Sequence, residues 1–170
     1  MIAYTIDKET KTASRVLQMN KRSLLKTAFA ALIPLALARP AVARGVILAY
    51  RNPGCGCCEK WAEMMTAAGF AVNMQDDVDL AARRTAAGVP DDLAGCHTAL
   101  MGDYVIEGHV PLADIQRLLT EKPFIKGIAV PGMPMGSPGM EMGESRDAYD
   151  VVAFATDGTR SVFAKYAANP

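Results

Sequence analysis

From Gly45 to Ala68 the chain reads GVILAYRNPGCGCCEKWAEMMTAA, and no other stretch limits its architecture so tightly. Gly45–Tyr50 is a short apolar run rich in β-branched residues, the signature of a buried strand. It runs directly into a Gly- and Cys-rich turn. From Glu59 to Ala68, Trp61, Ala62, Met65 and Ala68 recur at helical spacing, and Gly69 marks the stop. The alternation continues downstream. Phe70–Met74 reads as a second strand and Val78–Ala87 as a second helix ended by Gly88. His97–Met101 and Tyr104–Gly108 flank Gly102-Asp103, a two-residue connection that makes a β-hairpin. Pro111–Glu121 opens with proline in a first turn and places Ile115, Leu118 and Leu119 on one helical face. The order β-α-β-α-β-β-α is that of a thioredoxin-like α/β fold, a small mixed sheet flanked by helices. Beyond it the chain adds a Met-rich loop, then a C-terminal β-hairpin from Tyr149–Phe154 and Arg160–Tyr166, joined through Asp157-Gly158.

Charge is unevenly distributed. Of 18 basic and 18 acidic residues, residues 1–43 hold seven Lys/Arg and two Asp/Glu, which leaves the remainder with a net charge of −5. A mildly acidic body without a basic stripe argues against nucleic-acid binding. The basic segment looks like an address. From Met19, Lys21, Arg22 and Lys26 precede the apolar run Ala28–Ala38, which ends in the small-x-small triplet Ala41-Val42-Ala43. These are the parts of an export signal, read here as residues 19–43 with cleavage near Ala43. The run is far short of the ~20 residues that span a bilayer, so the mature form is expected to have no permanent membrane span. Sec and twin-arginine export both suit KRSLLK. Residues 1–18 read as an extension upstream of a true start at Met19. Residues 44–170 then form one domain in the periplasm, a compartment that permits disulfides.

The domain is long enough to build a core without staples, since ordinary chains manage this above roughly 70–80 residues. Its four cysteines are therefore free for chemistry. Cys55, Cys57 and Cys58 crowd the turn where a strand ends and a helix begins. Unpaired N–H groups and the positive dipole end at a helix N-terminus favour thiolate over thiol. Cys55 and Cys58 have the Cys-x-x-Cys spacing of a thiol–disulfide oxidoreductase, with Cys57 or Cys96 available to resolve mixed disulfides. A plain disulfide with a spare buried cysteine is the bland alternative. Three clustered thiolates repel one another unless a cation sits among them, and soft sulfur ligands favour Cu(I). A structural zinc site could use the same residues, but it would leave the methionines unexplained.

The hairpin brings further donors. With Gly102-Asp103 as the loop, Met101 faces Tyr104, and counting back sets Cys96 opposite His109. Such cross-strand neighbours have Cβ atoms only ~4.5–5.5 Å apart. A regular strand would turn His97 to the opposite face. Pro131–Gly143, PGMPMGSPGMEMG, holds Met133, Met135, Met140 and Met142 in a run too rich in Gly and Pro for helix or central strand. Methionines with no period are not simple core filler; a hydrophobic flap is the competing reading.

Three segments in this order, NPGCGCCEKW, GCHTALMGDYVIEGHVP and GIAVPGMPMGSPGMEMG, resemble the CopG-type periplasmic proteins associated with copper resistance, a domain-of-unknown-function family. The likeness runs through nearly all of residues 45–165. It implies a thioredoxin-like domain whose cysteine-rich site binds copper, with a redox role in handling Cu(I) and Cu(II), the Cu(I) held singly or in a multinuclear cluster. Cys55, Cys57 and Cys58 correspond to thiolate ligands, Cys96 and His109 to further ligands, and the four loop methionines to auxiliary ligands. Copper ions and other periplasmic copper-handling proteins are the implied partners.

Overall fold

The computed structural model describes residues 44–169. The segment read as an export signal, and the residues before it, lie outside the described residues. Seven strands form a single sheet: β1 (Val46–Arg51), β2 (Ala71–Asp76), β3 (His97–Met101), β4 (Tyr104–Glu107), β5 (Gly127–Ala129), β6 (Tyr149–Phe154) and β7 (Arg160–Tyr166), in the order β2-β1-β3-β4-β5-β6-β7. Among the described residues three α-helices accompany them: α1 (Gly56–Ala67), α2 (Leu80–Ala87) and α3 (Leu112–Glu121). The β1/β2 and β4/β5 pairs are parallel, and the other neighbours are antiparallel. The fold is therefore a mixed α/β sheet with both hairpins where the sequence sets them. Among the described residues no helix is long and apolar enough to cross a membrane.

The sheet has a core on each face. On one, Trp61 and Met65 of α1 and Ile115 and Leu118 of α3 pack against Ile47, Ala49, Ala99, Met101, Ile106 and Ile128. On the other, Val89 and Leu93, which follow α2, cover Val105, Ala129 and Phe154. Each fully buried large apolar side chain is worth about 1.5–3 kcal/mol relative to exposure. Trp61 also satisfies its indole by donating to Val110 O at 3.0 Å.

Two elements depart from the sequence reading. Helix α1 starts at Gly56, three residues before the expected Glu59, with Cys55 as its N-cap residue. Cys58 thereby becomes the first member of the buried stripe Cys58, Trp61, Met65. Strand β5 is new. Only three residues long, it exists because Val105–Glu107 pair with it on one side and Val152–Phe154 on the other. Gly127 in β5 admits no side chain: a Cβ there would stand 2.1 Å from Val105 O. Between β5 and β6, residues 130–148 form turns and isolated bridges with no helix or strand.

Candidate metal centre

The four cysteines meet at the N-terminus of α1. Cys55 leaves β1 through the turn, its carbonyl accepting from Arg51 Nη1 at 2.9 Å while the same guanidinium pairs with Glu59 and Asp76. As N-cap residue it makes no side-chain bond to the helix, so its sulfur is available elsewhere. Cys57 and Cys58, one residue apart on the helix, diverge: Cys57 stays half-buried at the rim and Cys58 enters the core. The fourth thiol arrives from a bend just before β3. Cys55 Sγ lies 2.6 Å from Cys58 Sγ, 3.0 Å from Cys96 Sγ and 3.3 Å from Cys57 Sγ. Cys96 Sγ is 3.3 Å from both Cys57 and Cys58 Sγ. All four cysteines are free.

A second set of donors adjoins the first. One donor atom each from Cys58, His97 and His109 falls within a mutual 4.8 Å, as do the four sulfurs, and Cys58 belongs to both sets. Both imidazoles are fully buried, ring centroids 5.1 Å apart, and Trp61 lies 4.4 Å from His97. His109 Nδ1 bonds Pro138 O at 2.8 Å. A carbonyl only accepts, so Nδ1 carries a proton, and in a neutral ring Nε2 then holds the lone pair. That Nε2, and both nitrogens of His97, have no hydrogen-bond partner among the described residues. Orphaned polar atoms in a core are rare and call for an explanation. A soft ion taking sulfur and imidazole nitrogen supplies one.

The direction in which His97 points differs from expectation. Alternation along β3 sets His97 with Ala99 and Met101 on the α1 face, since the strand proper begins at His97. Cys96 joins it on that face because it lies in the bend, where alternation does not apply. His109 is turned there by Gly108, whose φ of +70° ends the regular path of β4. The Cys96/His109 neighbourhood expected from the two-residue turn is present, and the β3/β4 register runs from Met101↔Tyr104 to Thr98↔Glu107.

Electrostatically the metal-free cluster favours its first negative charge and resists more. Cys96 is pulled down to about 3, chiefly by the Cys58 thiol hydrogen-bonded to it and against its burial. Cys57 is pushed up to about 12 by burial first and then by its bond to Cys55. Cys58 is pushed up as well, by its bond to Cys96 and then by burial. His97 is held down to about 3 by burial, with His109 adding to the effect, so it stays neutral and able to ligate.

The loop after β5 closes over this centre. Besides the Pro138 carbonyl on His109, Gly139 sits against α1 so closely that a Cβ would be 2.6 Å from Cys57 O. Met140 and Met142 share with Cys57, Glu59 and Glu63 a groove of about 690 Å³. Met133 is 57% exposed and Met135 half-buried, and neither lines that groove.

Comparison with known proteins bears on this geometry. Residues 93–140 match the model of a family described as "Protein of unknown function, DUF411". No curated protein matches the chain. Two solved structures do, both of a "Copper resistance protein copG". Form 2 is 43% identical over 72% of this chain and 98% of its own, and form 1 is 44% identical over 72% and 97%, each with a TM-score of 0.69. The chain belongs to the CopG copper-resistance family. Membership in the CopG family and a cluster of four cysteines able to hold a metal together support a copper-related, metal-binding role.

Proposed function

We propose that this CopG relative is a periplasmic copper-binding protein of thioredoxin-like architecture that holds Cu(I) as cargo between clustered thiolates. The observation that carries the reading is the pair of donor sets sharing Cys58: four sulfurs on one side, and Cys58, His97 and His109 on the other. A shared thiolate suits a multinuclear cluster, because one sulfur can bridge two ions. Cys55, Cys57, Cys58 and Cys96 are the thiolate ligands. His109 and His97 present ring nitrogens from the buried side, and Met140 and Met142 offer thioethers along the groove at Cys57.

The sequence of events for the chain's own residues follows from these positions. Incoming Cu(I) meets the half-buried Cys57 and the methionine-lined groove first. Cys57 and Cys58 give up their protons as the ion enters, and Cys96 needs no such loss. Elemental analysis beside a free-thiol count tests this. The reduced exported protein should bind cuprous ion at sub-micromolar free concentration and protect its thiols from alkylation. A protein that stays empty under those conditions refutes the proposal.

A thiol–disulfide exchange role is the second reading, favoured by the 2.6 Å between Cys55 and Cys58 Sγ at a helix N-terminus. Against it, the thiol pulled down to about 3 is Cys96 on the neighbouring segment, whereas a dithiol enzyme lowers the attacking cysteine of the Cys-x-x-Cys pair itself. Insulin reduction that needs only Cys55 and Cys58 would favour exchange over copper storage.

A further inference from the structure

On the sheet face away from the sulfurs, directly behind Cys96, lies a buried polar knot to which metal binding assigns no task. Glu107 of β4 is fully buried. Its Oε1 accepts from Arg84 Nε and from Gly95 N, each at 2.7 Å, and its Oε2 accepts from Thr98 Oγ1 at 2.7 Å. Arg84, in the last turn of α2, also donates from Nη2 to Gly95 O at 2.9 Å. Both polar backbone atoms of the residue before Cys96 are thus held by one ion pair. Packing fixes the same residue from the other side. A Cβ on Gly95 would stand 2.6 Å from Gly108 Cα, and one on Gly108 would stand 2.5 Å from Val130 O. The residues preceding Cys96 and His109 therefore meet backbone to backbone.

A buried carboxylate and guanidinium make a poor stabilising device, since apolar residues of similar volume serve as well or better. What the pair offers is direction. A planar guanidinium spans a carboxylate and a carbonyl at once, which a lysine ammonium does not reproduce. On the copper reading above, we infer that Arg84 and Glu107 are positioning residues for the metal centre. They fix the Gly95 peptide and, through it, the approach of Cys96 Sγ to Cys55, Cys57 and Cys58. Nothing in their sequence positions announces this, for Arg84 and Glu107 stand 23 residues apart.

Arg84→Lys keeps the positive charge beside Glu107 and removes the bridge to Gly95 O; Glu107→Ala removes the anchor itself. Both are made in the full chain, with thermal melting as the fold control. In metal-free, reduced Arg84→Lys, iodoacetamide should label Cys96 several-fold faster than in wild type under identical conditions. In competition with a cuprous chelator the variant should hold Cu(I) about tenfold more weakly, the lower end of losses seen when a ligand's supporting partner is removed. Glu107→Ala should exceed Arg84→Lys in both readouts. Unchanged labelling and unchanged copper retention in Arg84→Lys overturn the inference, as does faster labelling with copper retention unaltered. Faster labelling of Cys96 in a chain whose wild type takes up no Cu(I) would leave the grip on Cys96 standing and remove the copper reading instead.

Discussion

Replacing His97 with leucine separates what the core needs from what the metal centre needs. His97 is fully buried, and neither ring nitrogen has a partner among the described residues. A buried donor or acceptor left unpaired costs about 1–3 kcal/mol, and a neutral imidazole carries one of each. Leucine fills a similar volume and makes no such demand. It forfeits the ring contacts with Trp61 and His109, worth about 0.5–1.5 kcal/mol for an aromatic pair. The metal-free variant should therefore be more stable than wild type by about 1–3 kcal/mol. A second signature comes from pH. Burial, aided by His109, holds His97 down to about 3, against ~6.5 in an unfolded chain. Between those values the unfolded chain binds a proton that the folded one refuses. The stability linked to His97 is thus complete above about pH 6.5 and falls away as pH drops toward 3. From pH 7.5 to 5 the loss is about 2 kcal/mol. Urea unfolding of reduced, metal-free protein at the two pH values measures both effects. His97→Leu should show the higher midpoint at pH 7.5 and lack the wild-type share of acid sensitivity, while its copper uptake falls. A leucine variant less stable than wild type by 1 kcal/mol or more, with the same pH dependence, would refute the reasoning and make His97 a structural residue.

Other outcomes follow from the same geometry. Cys57→Ser, at the half-buried rim, should leave the melting temperature nearly unchanged and weaken Cu(I) retention by at least the roughly 10–100-fold typical of losing a supporting partner; full stoichiometry and affinity would reduce Cys57 to packing. Copper loading near neutral pH should release protons, those of Cys57 and Cys58 among them, because binding requires thiolates. Calorimetry in buffers of different ionisation enthalpy counts them, and no release would contradict the raised positions of these two thiols. The chain's one tryptophan, Trp61, lies 4.4 Å from His97, so its emission should fall in step with copper uptake; constant emission on loading would exclude His97 from the centre.

The parts of the fold legible in the sequence are those fixed by local chemistry. Asp157-Gly158 between two runs of matching pattern gave the β6/β7 hairpin its bounds, and Gly158 has the φ of +84° that such a turn requires. Gly102-Asp103 sets a register that carries Cys96 and His109 toward each other. Strand β5 was not legible because three residues hold no period; its identity comes from partners on both sides. His97 falls on the face opposite to the expected one for a related reason. Alternation does not reach past the strand's end into the bend at Cys96, and the turn at Gly108 that redirects His109 is a backbone event. The Arg84–Glu107 pair was invisible, since a buried ion pair joins residues brought together by the sheet and not by spacing.

The donors around Cys58 come from three places along the chain: the turn at residues 55–58, the segment at 96–97, and His109. No short excised peptide contains them all, so the centre exists only while the sheet does. An ion shared among them acts as a tie between distant segments, and folded protein gains stability from it by simple mass action. Melting and metal loss should consequently be one transition. Cargo would leave by transfer to a competing ligand at the Cys57 rim, not by loosening of the whole domain.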